Sequence, residues 1–222
     1  PATSFVSLYA GLSLFVYAAC TSFAENYPEH YLTFHLFGMY YYLLKNFETA
    51  RKYFNKAIQV CKTSLKSWIM LGHCFAQQEE SEQAMTVYRS CIRLFPNSYL
   101  PHLFMGMEYA RVNNLKTALL SFQQAVEFTG PDPIIFNEIG CIYLKEKKLT
   151  EAKEAFTSAL TQCSDNGISW LRHTVLNNLG NVHRKLREYP QAISCYEESL
   201  NISPNDPAVI FALAFACQLV GD

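Results

Sequence analysis

Between Ser67 and Pro96 the apolar positions fall into two helical stripes. Trp68, Leu71 and Phe75 recur three and four residues apart, the spacing of one helix face. A polar stretch follows. Ala84 and Tyr88 then begin a second stripe, and Pro96 stops it. The pattern predicts two antiparallel helices joined by a short turn. Gly72 is expected to let a second backbone approach the first helix, and Ala84 to give the same clearance from the second. Trp68, Phe75 and Tyr88 fill the space around that crossing.

The same pattern recurs in register. Glycines stand at Gly38, Gly72, Gly106, Gly140 and Gly180, with spacings of 34, 34, 34 and 40. Twelve residues after each comes an alanine: Ala50, Ala84, Ala118, Ala152 and Ala192. Four further on is an aromatic: Phe54, Tyr88, Phe122, Phe156 and Tyr196. Five unrelated amphipathic helices would not hold three columns in step. The unit is the tetratricopeptide pattern, and the fold class it predicts is all-α, a right-handed superhelical solenoid of helix-turn-helix repeats.

The register divides the chain into a partial repeat at 1–30, full repeats at 31–64, 65–98, 99–132, 133–166 and 173–206, an insertion at 167–172, and the first helix of a truncated repeat at 207–222. Phe5 to Ala24 is apolar enough to suggest a membrane span. No Lys or Arg flanks it, and Ser7, Gly11, Ser13 and Thr21 interrupt it. Counting backwards places Gly11 at a turn and Pro28 in the column of Pro96, so this stretch reads as a partial repeat with both helices largely buried. His102 holds a packing position, and Lys145 to Lys148 forms a solvated turn. Ser164-Asp165-Asn166-Gly167 is a turn signal that opens the insertion, and Ile168 to Arg172 either extends the linker or adds an early turn to the next helix. Trp170, inside it, is read as a lid on the local core in preference to a binding edge.

Composition narrows the function. The net charge of −1 argues against a nucleic-acid surface. The eight cysteines form no CxxC, and Cys91 shares a column with Ala57, Ala125 and Ala159. They read as reduced core residues of a protein in the nucleus and cytoplasm. The histidines show no metal-ligand spacing. There is no GxSxG, P-loop, HExxH or GxGxxG, so no catalytic residue, metal or cofactor is assigned and the chain reads as a non-enzyme.

In such repeats the first helix of each pair lines the concave wall. Early in the chain the wall positions are mostly apolar: His35, Met39, Tyr42, Met70, His73, Phe104 and Met107. Later they are polar: Asn137, Glu138, Asn177, Asn178, Asn181, Arg184 and Lys185. An asparagine amide both donates and accepts, so it can pair with an extended peptide backbone, while Arg184 and Lys185 can hold a carboxylate. The candidate peptide-binding set is His73, Met107, Asn137, Glu138, Asn177, Asn178, Asn181, Arg184 and Lys185.

Four stretches are more specific than the columns: SWIMLGHCFA at 67–76, LPHLFMGMEYARVNNLKTA at 100–118, DPIIFNEIG at 132–140 and LNNLGNVHRKL at 176–186. From about 28 to 220 the chain resembles the cell division cycle protein sixteen family of scaffold subunits in the anaphase-promoting complex. The resemblance implies a non-catalytic scaffold of a ubiquitin ligase that drives mitotic exit, contacting other subunits of that complex. It also implies a groove around the N-terminal segment of a small subunit, and homodimerisation of the full-length protein through upstream repeats. The alternative is a generic adaptor for peptide tails, such as a co-chaperone. That class needs Lys and Asn on successive first helices, where this chain has His35, Met39 and His73.

Overall fold

The computed structural model describes residues 15–166 and 169–221, without the side chains of 164–169. Gly11 and Gly167 lie outside the described residues. Residues 15–26 are helical (α1). Eleven helices follow: α2 Tyr31–Leu43, α3 Phe47–Val60, α4 Leu65–Gln77, α5 Ser81–Leu94, α6 Leu100–Arg111, α7 Leu115–Thr129, α8 Pro133–Lys145, α9 Leu149–Asn166, α10 Ser169–Lys185, α11 Tyr189–Ile202 and α12 Pro207–Gly221. No strand occurs among the described residues.

The chain forms two compact units, residues 1–108 and 109–222. In the first, α2 packs on α3, α3 on α4 and α4 on α5. In the second, each helix from α7 to α12 packs on the next. Phe54, Leu71 and Cys74 anchor a core in the first unit. Phe156, Val175 and Val182 anchor one in the second, and Tyr196, Val209 and Ala216 another.

Each turn inside a helix pair has one construction. Lys45, Glu79, Asn113, Lys147 and Arg187 all take φ between 58° and 63°. This left-handed conformation costs a non-glycine residue roughly 1–2 kcal/mol. The next residue's N–H then donates to the carbonyl five positions back: Asn46 to Tyr41, Glu80 to Phe75, Asn114 to Tyr109, Lys148 to Tyr143 and Glu188 to His183, at 2.8–3.0 Å. That bond satisfies a carbonyl the helix end would leave open. Asn46 and Asn114 also cap α3 and α7, accepting from the amides of Thr49 and Thr117.

The glycine column makes room for a ring, not for the second backbone that the sequence suggested. A Cβ at Gly38, Gly72, Gly140 or Gly180 would lie 2.6, 2.3, 2.7 or 2.5 Å from a ring carbon of Phe54, Tyr88, Phe156 or Tyr196. Those rings are almost wholly buried, and Ala50, Ala84, Ala152 and Ala192 are completely so.

Two further expectations change, and one open alternative is decided. The described part of the first repeat is not largely buried: Cys20 is inaccessible, but Phe15 is 74% and Tyr17 46% exposed. A helix with apolar residues around much of its circumference leaves some of them outside any one packing face. Of the two courses open to the insertion, the early helical turn is the one found: Ser169 to Arg172 form the first turn of α10, and the preceding helix continues to Asn166. Trp170 is no lid, since it is 66% exposed while Leu171 beside it fills the core. Adjacent helix positions lie about 100° apart, so the two side chains cannot share one direction. Among the described residues no helix is long and apolar enough to cross a membrane.

Candidate peptide-binding site

Two of the candidate residues, His73 and Met107, belong to the first unit, and seven belong to the second. In the first unit a groove of about 650 Å³ is lined by His35, Met39, Ile69, Met70, Leu100 and Phe104, among others. His73 stands edge-on to Phe104, with centroids 4.3 Å apart, and its Nδ1 lies 3.0 Å from the Tyr88 hydroxyl. Burial pushes its pKa down to about 4, so His73 is a neutral packing group near neutral pH. Burial also lowers the pKa of His35, with Lys66 adding to the effect. Met107 is half-buried on α6. The groove is mostly apolar, with the His35 imidazole in its lining and a polar section at Thr63, Ser64 and Lys66.

The second unit builds its candidate wall on α8 and α10. Asn137 is 5% exposed. Its Oδ1 accepts from Asn178 Nδ2 at 3.0 Å, and its Nδ2 donates to Glu138 Oε1 at 3.2 Å. Asn178 Nδ2 also lies 3.7 Å from Cys141 Sγ. These two asparagines tie α8 to α10. Burial raises the pKa of Glu138, partly countered by the Asn137 bond and by Lys145. Asn181 Oδ1 accepts from the Tyr196 hydroxyl at 3.0 Å, which leaves its amide donors. Lys185 is exposed.

Asn177 and Arg184 each keep one unpaired atom, although the Arg184 guanidinium also interacts with the Tyr196 hydroxyl. Asn177 Oδ1 and Arg184 Nε are both buried, and neither has a hydrogen-bond partner among the described residues. The Arg184 guanidinium lies 5.3 Å from the centre of the Phe215 ring on α12. An unpaired buried acceptor or donor costs about 1–3 kcal/mol. Here one of each stands seven residues apart, hence on one face of a helix. A peptide backbone supplies the complementary N–H and C=O.

Tetratricopeptide-repeat models match residues 33–63, 65–98, 135–166 and 173–206. The chain belongs to the tetratricopeptide-repeat family. It is 35% identical over 207 residues to anaphase-promoting complex subunit 6 of Arabidopsis thaliana, covering 93% of this chain and 38% of that one. It is 32% identical to the human cell division cycle protein 16 homolog, covering 89% and 33%. The solved hetero-tetramer Cut9–Hcn1 of the anaphase-promoting complex superposes with a TM-score of 0.80 at 29% identity, over 95% of this chain and 41% of that one. The chain therefore spans 33–38% of the length of these curated relatives. The Arabidopsis protein and the Cut9–Hcn1 assembly are named as parts of the anaphase-promoting complex.

The repeat accounts for one pairing that sequence reasoning missed. The ring that crosses each glycine carries a hydroxyl at Tyr88 and Tyr196 only, and the residues after those glycines are His73 and Asn181, which meet the hydroxyls. Where the ring is Phe54 or Phe156, the residue is Met39 or Cys141. The covarying signal was present in the columns already aligned. Among the described residues no group of His, Cys, Asp and Glu could hold a metal.

Proposed function

We propose that this chain is the repeat section of a scaffold subunit of the anaphase-promoting complex, acting in the nucleus and cytoplasm. On this reading the α10 wall grips an extended segment of a small partner subunit. The likeness to subunit 6 and to the Cut9–Hcn1 assembly supports the scaffold role. The observation that carries the peptide reading is the buried, unpaired Asn177 Oδ1 and Arg184 Nε on one face of α10. Asn178 and Asn137 are engaged in joining helices, so they set the wall's position and leave Asn177 to meet the ligand.

The test is affinity purification of the full-length protein from dividing cells, with mass spectrometry of what co-purifies. The expected result is the subunits of the ligase plus a small protein in stoichiometric amount. Asn177→Ala should reduce recovery of the small protein while the other subunits remain. Recovery of chaperones alone would instead support the peptide-tail adaptor. The native mass of the purified full-length subunit tests homodimerisation.

A further inference from the structure

The α10 helix is longer than its counterparts: 17 residues against 13 in α2, α4 and α8. Its added N-terminal residues include Trp170. At 100° per residue, Trp170, Thr174, Asn177, Asn181 and Arg184 fall on one stripe about 80° wide. That stripe holds the two unpaired buried atoms described above. At its N-terminal end Trp170 and Thr174 are both exposed. A tryptophan 66% open to water is unusual for so large an apolar side chain. The backbone that carries Trp170 is also held in place. Leu171 is locked in the core, and Arg172 pairs with Glu198 of α11, so the first turn of α10 cannot roll to bury Trp170.

We propose that Trp170 is a specificity-determining residue of this wall and takes a large apolar side chain of the bound peptide. The inference rests on the peptide reading of α10 given above. Asn177 and Arg184 meet backbone groups, which every peptide has, so they supply affinity without choice. Trp170 supplies the choice. Seven residues of helix separate it from Asn177, about 10 Å. An extended chain covers that distance in about three residues. The preferred ligand therefore carries its apolar residue about three positions from the one held at Asn177. Binding hot spots are enriched in tryptophan and arginine, and this stripe carries Trp170 and Arg184.

A random dodecapeptide library displayed on phage, selected on the wild-type chain, supplies the probe. An enriched peptide is labelled and titrated by fluorescence anisotropy. Enriched peptides should share one large apolar residue. Trp170→Ala should weaken binding at least about tenfold, and Trp170→Phe by no more than about threefold. Replacing the peptide's apolar residue with alanine should weaken binding to the wild type and have no further effect on Trp170→Ala. If Asn177→Ala weakens binding and Trp170→Ala does not, the anchor is refuted and the wall stands. If neither weakens it, the wall itself is refuted. A change in the sedimentation of the free chain on Trp170→Ala would assign the residue to self-association and overturn the proposal.

Discussion

Replacing Gly72 with alanine tests the packing that defines the repeat. The added Cβ would stand 2.3 Å from Tyr88 Cε1, 2.7 Å from Cζ and 2.9 Å from Cδ1. Carbon atoms in contact prefer roughly 3.5–4.0 Å, so the ring would have to retreat by about 1 Å. It has little freedom to do so. Tyr88 is 1% exposed, and its hydroxyl is held 3.0 Å from His73 Nδ1. Overpacking of this kind costs about 1–3 kcal/mol. Alanine in place of glycine in a helix returns about 1 kcal/mol. With a buried, tethered aromatic as the obstacle, the upper part of the range applies and a net loss of about 1–2 kcal/mol remains. For a chain of this size that lowers the melting temperature by about 2–8 °C, read by far-ultraviolet circular dichroism. Gly221→Ala is the control, because a Cβ there meets nothing within 4 Å. A Gly72→Ala protein that melts at or above the wild-type temperature would refute the close crossing of α4 and the Tyr88 ring.

Two further outcomes follow from burial. Unfolded His73 takes up a proton near its ordinary value, whereas the folded residue waits until about pH 4. The unfolded chain therefore binds more protons between about pH 6.5 and 4, and stability falls as the pH is lowered through that window, by on the order of 3 kcal/mol at most. His73→Gln, which keeps an acceptor for Tyr88, should flatten that fall in urea titrations. The second concerns thiols. Burial raises Cys74 and Cys91 to about 12, and Cys217 is exposed. Iodoacetamide at mildly alkaline pH should label Cys217 within minutes and reach Cys74 and Cys91 only in denaturant, as peptide mass mapping will show. Rapid labelling of Cys74 would contradict the core assigned to the first unit.

The amino-acid sequence by itself determined the repeat. Gly72, Ala84 and Tyr88 are local requirements of one helix pair, and a pair that must pack the same way each time needs the same residue types at the same positions. The 34-residue columns are that requirement written out, and they were enough to place the helix pairs and their aromatic column, but not the seat of each ring against its glycine. The sequence also marked α10 as unusual through Asn177, Asn178 and Asn181.

The engagement of Asn181 was legible in the aligned columns, but that of Asn178 was not, because its partner lies far along the chain. Asn178 reaches back 41 residues to Asn137, while Asn181 meets Tyr196 on the following helix. Only the packed helices reveal that Asn177 and Arg184 keep unpaired atoms. The left-handed turn residues were hidden for a related reason. Lys45, Glu79, Lys147 and Arg187 have no intrinsic preference for positive φ, and the backbone bond that closes each helix holds them there. Trp170 was misread as a lid because its column was blank. The start of α10 and the burial of Leu171 decided which way the first turn faces, and a helix can turn only one side chain of an adjacent pair toward its core.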